Sequence, residues 1–287
     1  MGVFKAAAVQ MRSGMNVERN ARAMAEMVRE AAAGGATYIQ TPEMTGALMR
    51  SKEELRASLK PQDEDVVAAT ARRLAADLGV YLHVGSTAIA RPDGKVANRA
   101  FLFDPSGALL VTYDKIHMFD VDLDNGESWR ESATYEPGNN ASVADLPFAR
   151  LGFAVCYDLR FPQLFRAEAL AGAQVLTVPA AFTRQTGEAH WHVLLRARAI
   201  ENGAWVIAAA QGGTHEDGRE TYGHSLIVDP WGKVVAEADG NAPGIIFAEI
   251  DTSLSGAARA KIPNLKNARD FEVVAAQQPA SALRAAS

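Results

Sequence analysis

Three residues of this chain have types that could together carry acyl transfer: a thiol at Cys156, a carboxylate at Glu43 and an ammonium at Lys115. Cys156 is the only cysteine. It follows the apolar run Leu151 to Val155 and precedes Tyr157-Asp158-Leu159-Arg160-Phe161-Pro162, a polar segment where a buried strand must turn. An ordinary thiol has a pKa of about 8.5 and is mostly protonated at neutral pH. A nearby ammonium favours the thiolate, so a depressed Cys156 pKa is the expected mark of an activated site. A carboxylate can take the proton as attack proceeds, and the same ammonium can hold the oxyanion. Loss of one such donor raises the barrier by on the order of 3 kcal/mol. Each residue also has a purely structural reading. Cys156 can be a small buried hydrophobe, Glu43 a cap, Lys115 a surface cation, and Asp158 with Arg160 a local ion pair worth about 1 kcal/mol or less.

The elements that must position these groups form a pattern that runs twice. In the first half, Val3 to Met11 reads as a strand. Asn16 caps a helix with Val17, Ala21, Met24, Val28 and Ala31 on one face, ended by Gly34-Gly35. Tyr38 to Thr41 is a short strand broken by Pro42. A helix from about Asp63 buries Val67, Ala71, Leu74 and Leu78 and stops at Gly79. Val80 to Ala90 is a strand, and Phe101–Phe103 with Leu109–Val111 flank the turn Asp104-Pro105-Ser106-Gly107. In the second half the same order returns: strand Leu151–Val155, helix Phe161–Ala171, strand Val175–Val178, helix Trp191–Asn202, strand Trp205–Ala210. A hairpin of Leu226–Val228 and Val234–Ala236 then turns at Asp229-Pro230-Trp231-Gly232. The repeat predicts a layered α/β fold. Sheet packed on sheet gives a four-layer α-β-β-α sandwich; one doubly wound sheet is the other solution. No linker separates the halves, so a single domain over 1–276 is expected, followed by a loose tail over 277–287. Glu43, Lys115 and Cys156 each follow a strand, and ligand sites of α/β sheets collect beyond strand ends.

Pro42-Glu43, Asp114-Lys115-Ile116-His117 and Cys156-Tyr157-Asp158-Leu159-Arg160-Phe161-Pro162 together resemble the three motifs of the nitrilase superfamily, the carbon–nitrogen hydrolases. The resemblance extends from Lys5 to about Pro263. It implies the α-β-β-α sandwich, no metal or organic cofactor, and a Glu-Lys-Cys triad. In that triad Glu43 is the general base, Lys115 the oxyanion stabiliser and Cys156 the nucleophile. It also implies the Tyr157 N–H as a second oxyanion donor, and Glu131 as a further glutamate orienting substrate or water. Thr186-Gly187-Glu188-Ala189-His190-Trp191, Ala208-Ala209-Ala210-Gln211-Gly212 and Tyr222-Gly223-His224-Ser225 resemble the Nit branch, which is similar to deaminated glutathione amidase and omega-amidase. That makes the expected substrate a small acid bearing a carboxamide, split to acid and ammonia through a thioester. Gln163 stands where many relatives carry Glu, and the segment Phe119 to Arg130 departs from the pattern. Rival readings are a nitrilase or N-carbamoyl amidohydrolase, and a catalytically silent binding or scaffold protein. The resemblance also implies a homo-oligomer, a dimer or larger.

The remaining signals narrow the class. Of 287 residues 48% are hydrophobic and 22% charged, with a net charge of −5, which does not favour nucleic acid or an anionic membrane as partner. No apolar run is long enough to span a bilayer. A lone cysteine fits a reducing compartment, and a cytoplasmic location is expected. His190 and His192 diverge on a helix, no His-Glu-x-x-His occurs, and no metal site is expected. Arg196 and Arg198 with Glu201 read as a structural network. Arg160 and Arg184, both after strand ends, are the candidates for a substrate carboxylate.

Overall fold

The computed structural model describes residues 2–123, 126 and 128–275. The expected tail over 277–287 lies outside the described residues. β1 (Val3–Gln10) leads into α1 (Val17–Ala33), whose Asn16 side chain caps the Arg19 N–H at 2.8 Å. β2 (Tyr38–Gln40) is short and ends before Pro42. A helix that the apolar periodicity did not reveal, α2 (Lys52–Ser58), precedes α3 (Val66–Leu78), which Asp65 caps and Gly79 ends at φ +66°. β3 (Tyr81–Ala90), β4 (Val96–Phe103) and β5 (Leu109–Asp114) pair antiparallel in succession. A small hairpin follows, β6 (Asp120–Asp122) with β7 (Ser128–Arg130).

The second half contains β8 (Val143–Asp145), β9 (Arg150–Phe153), α4 (Pro162–Leu170), β10 (Val175–Thr177), α5 (Arg184–Asn202) and β11 (Trp205–Ala208). α5 begins well before Trp191, because its first turns carry few apolar residues and so lack periodicity. β12 (Gly212–Thr214) pairs with β13 (Glu220–Tyr222), and β14 (Leu226–Val228) with β15 (Val234–Glu237). β16 (Gly244–Asp251) and α6 (Ser253–Lys261) complete the described elements and were not expected from the sequence.

The strands form two six-stranded sheets, ordered β16-β1-β2-β3-β4-β5 and β15-β14-β11-β10-β9-β8. Each half supplies three parallel strands, then two antiparallel ones, and each sheet has one further antiparallel strand beside its first: β16 beside β1, β8 beside β9. The period of two along β1 assigns its faces. Ala7 and Val9 pack with Ile39 and Leu82 against Met24, Val28, Ala71 and Leu74 of α1 and α3. Phe4, Ala6 and Ala8 face the other way, onto Leu151, Phe153 and Val175 of the second sheet, while Leu176 on its far side meets the layer where Phe165, Trp191 and Leu195 of α4 and α5 close the core. This is the four-layer α-β-β-α sandwich, and it excludes the single doubly wound sheet.

Three buried glutamines make directional bonds between the halves. The Gln40 Oε1 accepts from the Ala209 N–H at 2.9 Å and the Gln10 Oε1 from the Ser225 N–H at 2.9 Å. The Gln211 Nε2 donates to the Ser13 hydroxyl at 2.8 Å and the Glu43 carbonyl at 3.0 Å. In β3, a Cβ on Gly85 would collide with the Thr41 carbonyl and the Pro179 side chain, so glycine permits the close approach of the two halves beneath Pro42. The β3–β4 register shifts at this point, and the Ser86 Oγ accepts from the Met44 N–H at 3.0 Å, holding the turn that carries Glu43.

Candidate active site

Glu43 lies in the turn after β2, Lys115 directly follows β5, and Cys156 opens a short 3-10 helix after β9 (Cys156–Arg160). All three are buried. The Cys156 backbone sits at φ +52° and Met44, next to Glu43, at φ +54°. Such conformations are rare for side-chain-bearing residues and cost about 1–3 kcal/mol each, which the surrounding bonds must sustain. For Cys156 one such bond runs from its N–H to the Pro179 carbonyl at 2.9 Å. Asp158 supplies others. Its Oδ2 accepts from the Val155 N–H at 2.9 Å and the Tyr113 hydroxyl at 2.7 Å, and its Oδ1 from the His117 N–H at 2.9 Å. Asp158 thus staples the cysteine turn to both sides of Lys115. The Asp158–Arg160 ion pair of the purely structural reading is not formed; Arg160 instead meets the His190 Nδ1 at 3.3 Å.

The Lys115 ammonium touches the Glu43 Oε1 at 3.0 Å and both Glu131 oxygens at 3.0 and 2.8 Å. Asn98 spans the same two carboxylates at 2.9 and 3.2 Å, the Ala181 N–H binds the other Glu43 oxygen at 2.9 Å, and the Phe119 N–H binds Glu131 at 2.7 Å. The Cys156 thiol lies beside the Glu43 carboxylate, close enough for each to shift the other's proton affinity. Burial pushes the Glu43 carboxyl up, but the Lys115 charge and the neighbouring Cys156, Lys115 and Asn98 donors outweigh it and leave the pKa below the ordinary range. Burial disfavours charge on Lys115, yet Glu131 and Glu43 hold it well above its usual pKa, so the ammonium is fixed. Burial and the Glu43 charge push the Cys156 thiol well up, and Lys115 only partly opposes them. The expectation of a depressed thiol pKa is therefore corrected: the resting pair is carboxylate and thiol, with the base beside the proton it would remove.

These groups line a cavity of about 690 Å³. Tyr157 is part of its wall, and as a first-turn amide of the 3-10 helix its N–H has no intrahelical acceptor. Arg160 and Arg184 are not among the cavity's lining residues. Arg160 lies over the Tyr157 and Phe182 rings, and Arg184, half-exposed at the start of α5, pairs with Glu188 and Glu220. A strand end in the sequence placed both near the site but could not say which way they point. The arginines that do line the cavity are Arg50, Arg130 and Arg219. Asn98 went unnoticed as well, since an asparagine inside a strand carries no local signal of a partner 55 residues away.

Away from this cavity, His192, His224 and Glu237 bring their donor atoms within 4.8 Å of one another, a set that suits a transition metal. The sequence search for adjacent histidines missed it because the three come from α5, the segment before β14, and β15. Here the Glu237 Oε1 bonds the two imidazoles at 3.0 and 2.8 Å.

The sequence profile of the carbon–nitrogen hydrolase family matches residues 5–260. The chain belongs to that family. As a carbon–nitrogen hydrolase it is an enzyme acting on C–N bonds other than peptide bonds. It is 40% identical over 92% of its length to 92% of the deaminated glutathione amidase of Yersinia enterocolitica. It is 38% identical over 92% of its length to 81% of the enzyme of the same name from Bos taurus. Among solved structures, the C. elegans NitFhit protein superposes with a TM-score of 0.86 at 34% identity, over 94% of this chain; the chain spans 66% of that longer protein. An amidase from Nesterenkonia sp. AN1, with acrylamide added at its active-site cysteine, superposes with a TM-score of 0.74 at 25% identity over 91% of this chain and 98% of that one. No described helix is long and apolar enough to cross a membrane.

Proposed function

We propose that this hydrolase is an amidase resembling deaminated glutathione amidase, with Glu43, Lys115 and Cys156 as its catalytic groups. Glu43 takes the Sγ proton as sulfur attacks the amide carbonyl. The new oxyanion is held by the Lys115 ammonium and the Tyr157 N–H, each worth on the order of 3 kcal/mol in the barrier. The C–N bond breaks as the nitrogen takes the proton from Glu43, the amine leaves, and a thioester remains on Cys156. Glu43 then deprotonates water, which attacks the thioester; the C–S bond breaks and sulfur regains its proton. Glu131 keeps Lys115 charged and aimed. The observation that carries this reading is the shared contact of Lys115 and Cys156 with one carboxylate, Glu43.

The preference for deaminated glutathione rests on the named relatives. Glutathione contains no primary amide, so its deaminated form releases an amine on hydrolysis, not the ammonia expected from a terminal carboxamide. The direct test measures amine release from deaminated glutathione beside ammonia release from α-ketoglutaramate. Cys156→Ala should lower turnover by about 10⁴-fold or more while leaving the melting temperature near that of the parent. Full activity in that variant refutes the mechanism. Preference for α-ketoglutaramate makes the protein an omega-amidase, activity on nitriles or N-carbamoyl acids alone selects those branches, and silence on every C–N substrate leaves a binding protein.

Residues 1–276 are read as one domain, since both sheets contribute to the core between them. A homodimer is supported by exposed Val193 and Ile200, one heptad apart on α5, and by exposed Trp231, whose neighbour Gly232 lies against Ile200. A cytoplasmic location is supported by the single cysteine, which fits a reducing compartment.

A further inference from the structure

Lys115 is paired with two carboxylates and faces the reacting carbonyl, so it is committed to the oxyanion and not to a distant substrate carboxylate. Four other cations line the cavity: Arg50, Lys52, Arg130 and Arg219. Arg130 is already paired through both oxygens of Asp122 at 2.9 and 2.8 Å, and Lys52 is exposed in the first turn of α2. Arg219 differs. Its side chain is only 15% exposed, yet its donors reach just the Met49 carbonyl at 3.4 Å and Asp217 at 3.7 Å. The Nε is buried without any partner. A guanidinium offers five donors in a fork, and leaving them unmet in a buried site is costly. Its carbon stands 4.5 Å from the centre of the Trp129 indole, and that of Arg50 stands 5.8 Å from the same ring. Burial disfavours charge on Arg219, Asp217 supports it, and the Arg50 cation on the same ring opposes it. Arg50 makes no ion pair among the described residues. The wall therefore holds two like charges on one aromatic surface, with Asp217 the ion-pair partner that the described residues give them, at 3.7 Å from Arg219.

We propose that Arg219, assisted by Arg50 and seated on Trp129, is a carboxylate-binding subsite, and that the substrates are amides carrying a carboxylate away from the bond that breaks. This deepens the proposed amidase reading and rests on it. A carboxylate fits the planar fork with two parallel bonds and relieves the repulsion between the guanidinium groups. Deaminated glutathione has such a group on each side of its γ-amide: the 2-oxo acid on the acyl side and the glycine carboxylate on the amine side.

The first test needs no turnover. Alkylation of Cys156 by bromoacetyl-glycine is compared with alkylation by bromoacetyl-glycinamide, read by intact mass. The parent protein should favour the carboxylate reagent by about tenfold. Arg219→Gln should bring the ratio near one, and Arg219→Lys, which keeps the charge without the fork, should fall between. Arg22→Gln, on the exposed side of α1, controls for net charge and should keep the parental ratio. Reaction with the neutral reagent shows that the variants remain folded at the site. Equal rates in the parent, or a preference that survives the Arg50→Gln/Arg219→Gln double change, overturns the proposal.

The second test identifies the carboxylate. If Arg219→Gln raises KM for deaminated glutathione but not for its glycinamide analogue, the amine-side carboxylate occupies the subsite. If α-ketoglutaramate is affected instead, the acyl side does. A rise in KM that is the same with and without each carboxylate overturns the subsite. Absence of turnover with every amide, beside an intact alkylation preference, sinks the amidase reading and leaves the anion subsite standing.

Discussion

Around Lys115 the resting cavity gathers three acidic groups, Glu43, Glu131 and the Cys156 thiol, and one ammonium cannot offset three negative charges in a buried space. The thiol has the highest ordinary pKa of the three, so it keeps the proton. It follows that activation here works through the neighbouring base and not through a standing thiolate. The expected outcome is a thiolate absorbance near 240 nm, taken as the difference between the parent and Cys156→Ala, that is absent at pH 7 and emerges only above the ordinary thiol range. A thiolate signal at pH 6 would contradict this. Glu43 gives the opposite sign. Its folded pKa is depressed, so its contribution to stability is present above the ordinary carboxylate range and is lost as pH falls through the lowered value. At this scale the sequence was informative where chemistry is carried by rare types in order. One cysteine, one Asp-Lys and one Pro-Glu, in order, carried the resemblance that implied these groups act together, though their spacing alone could not bring them together. It was uninformative for common types whose meaning lies in direction: Arg160 and Arg184 follow strand ends as Arg219 does not, yet only Arg219 lines the cavity.

Among the elements, α4 carries a tension that no periodicity reveals. Glu168 is buried on its core side, where its Oε1 accepts the Phe153 N–H at 2.9 Å and its Oε2 has no partner. Burial raises its pKa well above the usual carboxylate range, and Asp158 adds to the rise. A raised folded pKa gives stability that is full below the unfolded value and is lost as pH climbs through the folded one. Glu168→Gln keeps an acceptor for Phe153 and removes the ionisation. It should raise the Tm at pH 8 by on the order of 2–4 °C for each kcal/mol recovered, with a smaller gain at pH 5, as calorimetry at the two pH values will show. No pH-dependent difference between the two proteins would mean that Glu168 is accommodated as the anion. The helices and strands that the sequence located have either a long apolar period, as in α1 and α3, or turn residues at their ends. α2 and the opening turns of α5 lack the first, and β16 was missed because it pairs with β1 at the far end of the chain, beyond any local window.

At the scale of the whole molecule, the repeated order of strands and helices was legible, and it left two architectures open. What decided between them was the inward set Phe4, Ala6 and Ala8, whose two alanines let sheet approach sheet beside the Phe4 ring. The outer surface bears on assembly. Val193→Glu with Ile200→Glu places two charges on the exposed stripe of α5, remote in kind from the cavity groups. Analytical ultracentrifugation should show the proposed dimer replaced by a monomer, whereas an unchanged sedimentation coefficient would remove α5 from the interface.

The glutamines between the sheets have one more implication. Gln10 and Gln40 reach from the first half to backbone amides of the second, and Gln211 reaches back to the carbonyl of Glu43. Apolar faces tolerate sliding by fractions of a residue, but amide-to-backbone bonds hold in one alignment only. Someone shuffling gene segments between relatives would find that the two halves are not interchangeable cassettes. A crossover between β7 and β8 must bring matching glutamines from both parents, or the recombinant will join two intact sheets with its base and its nucleophile out of step.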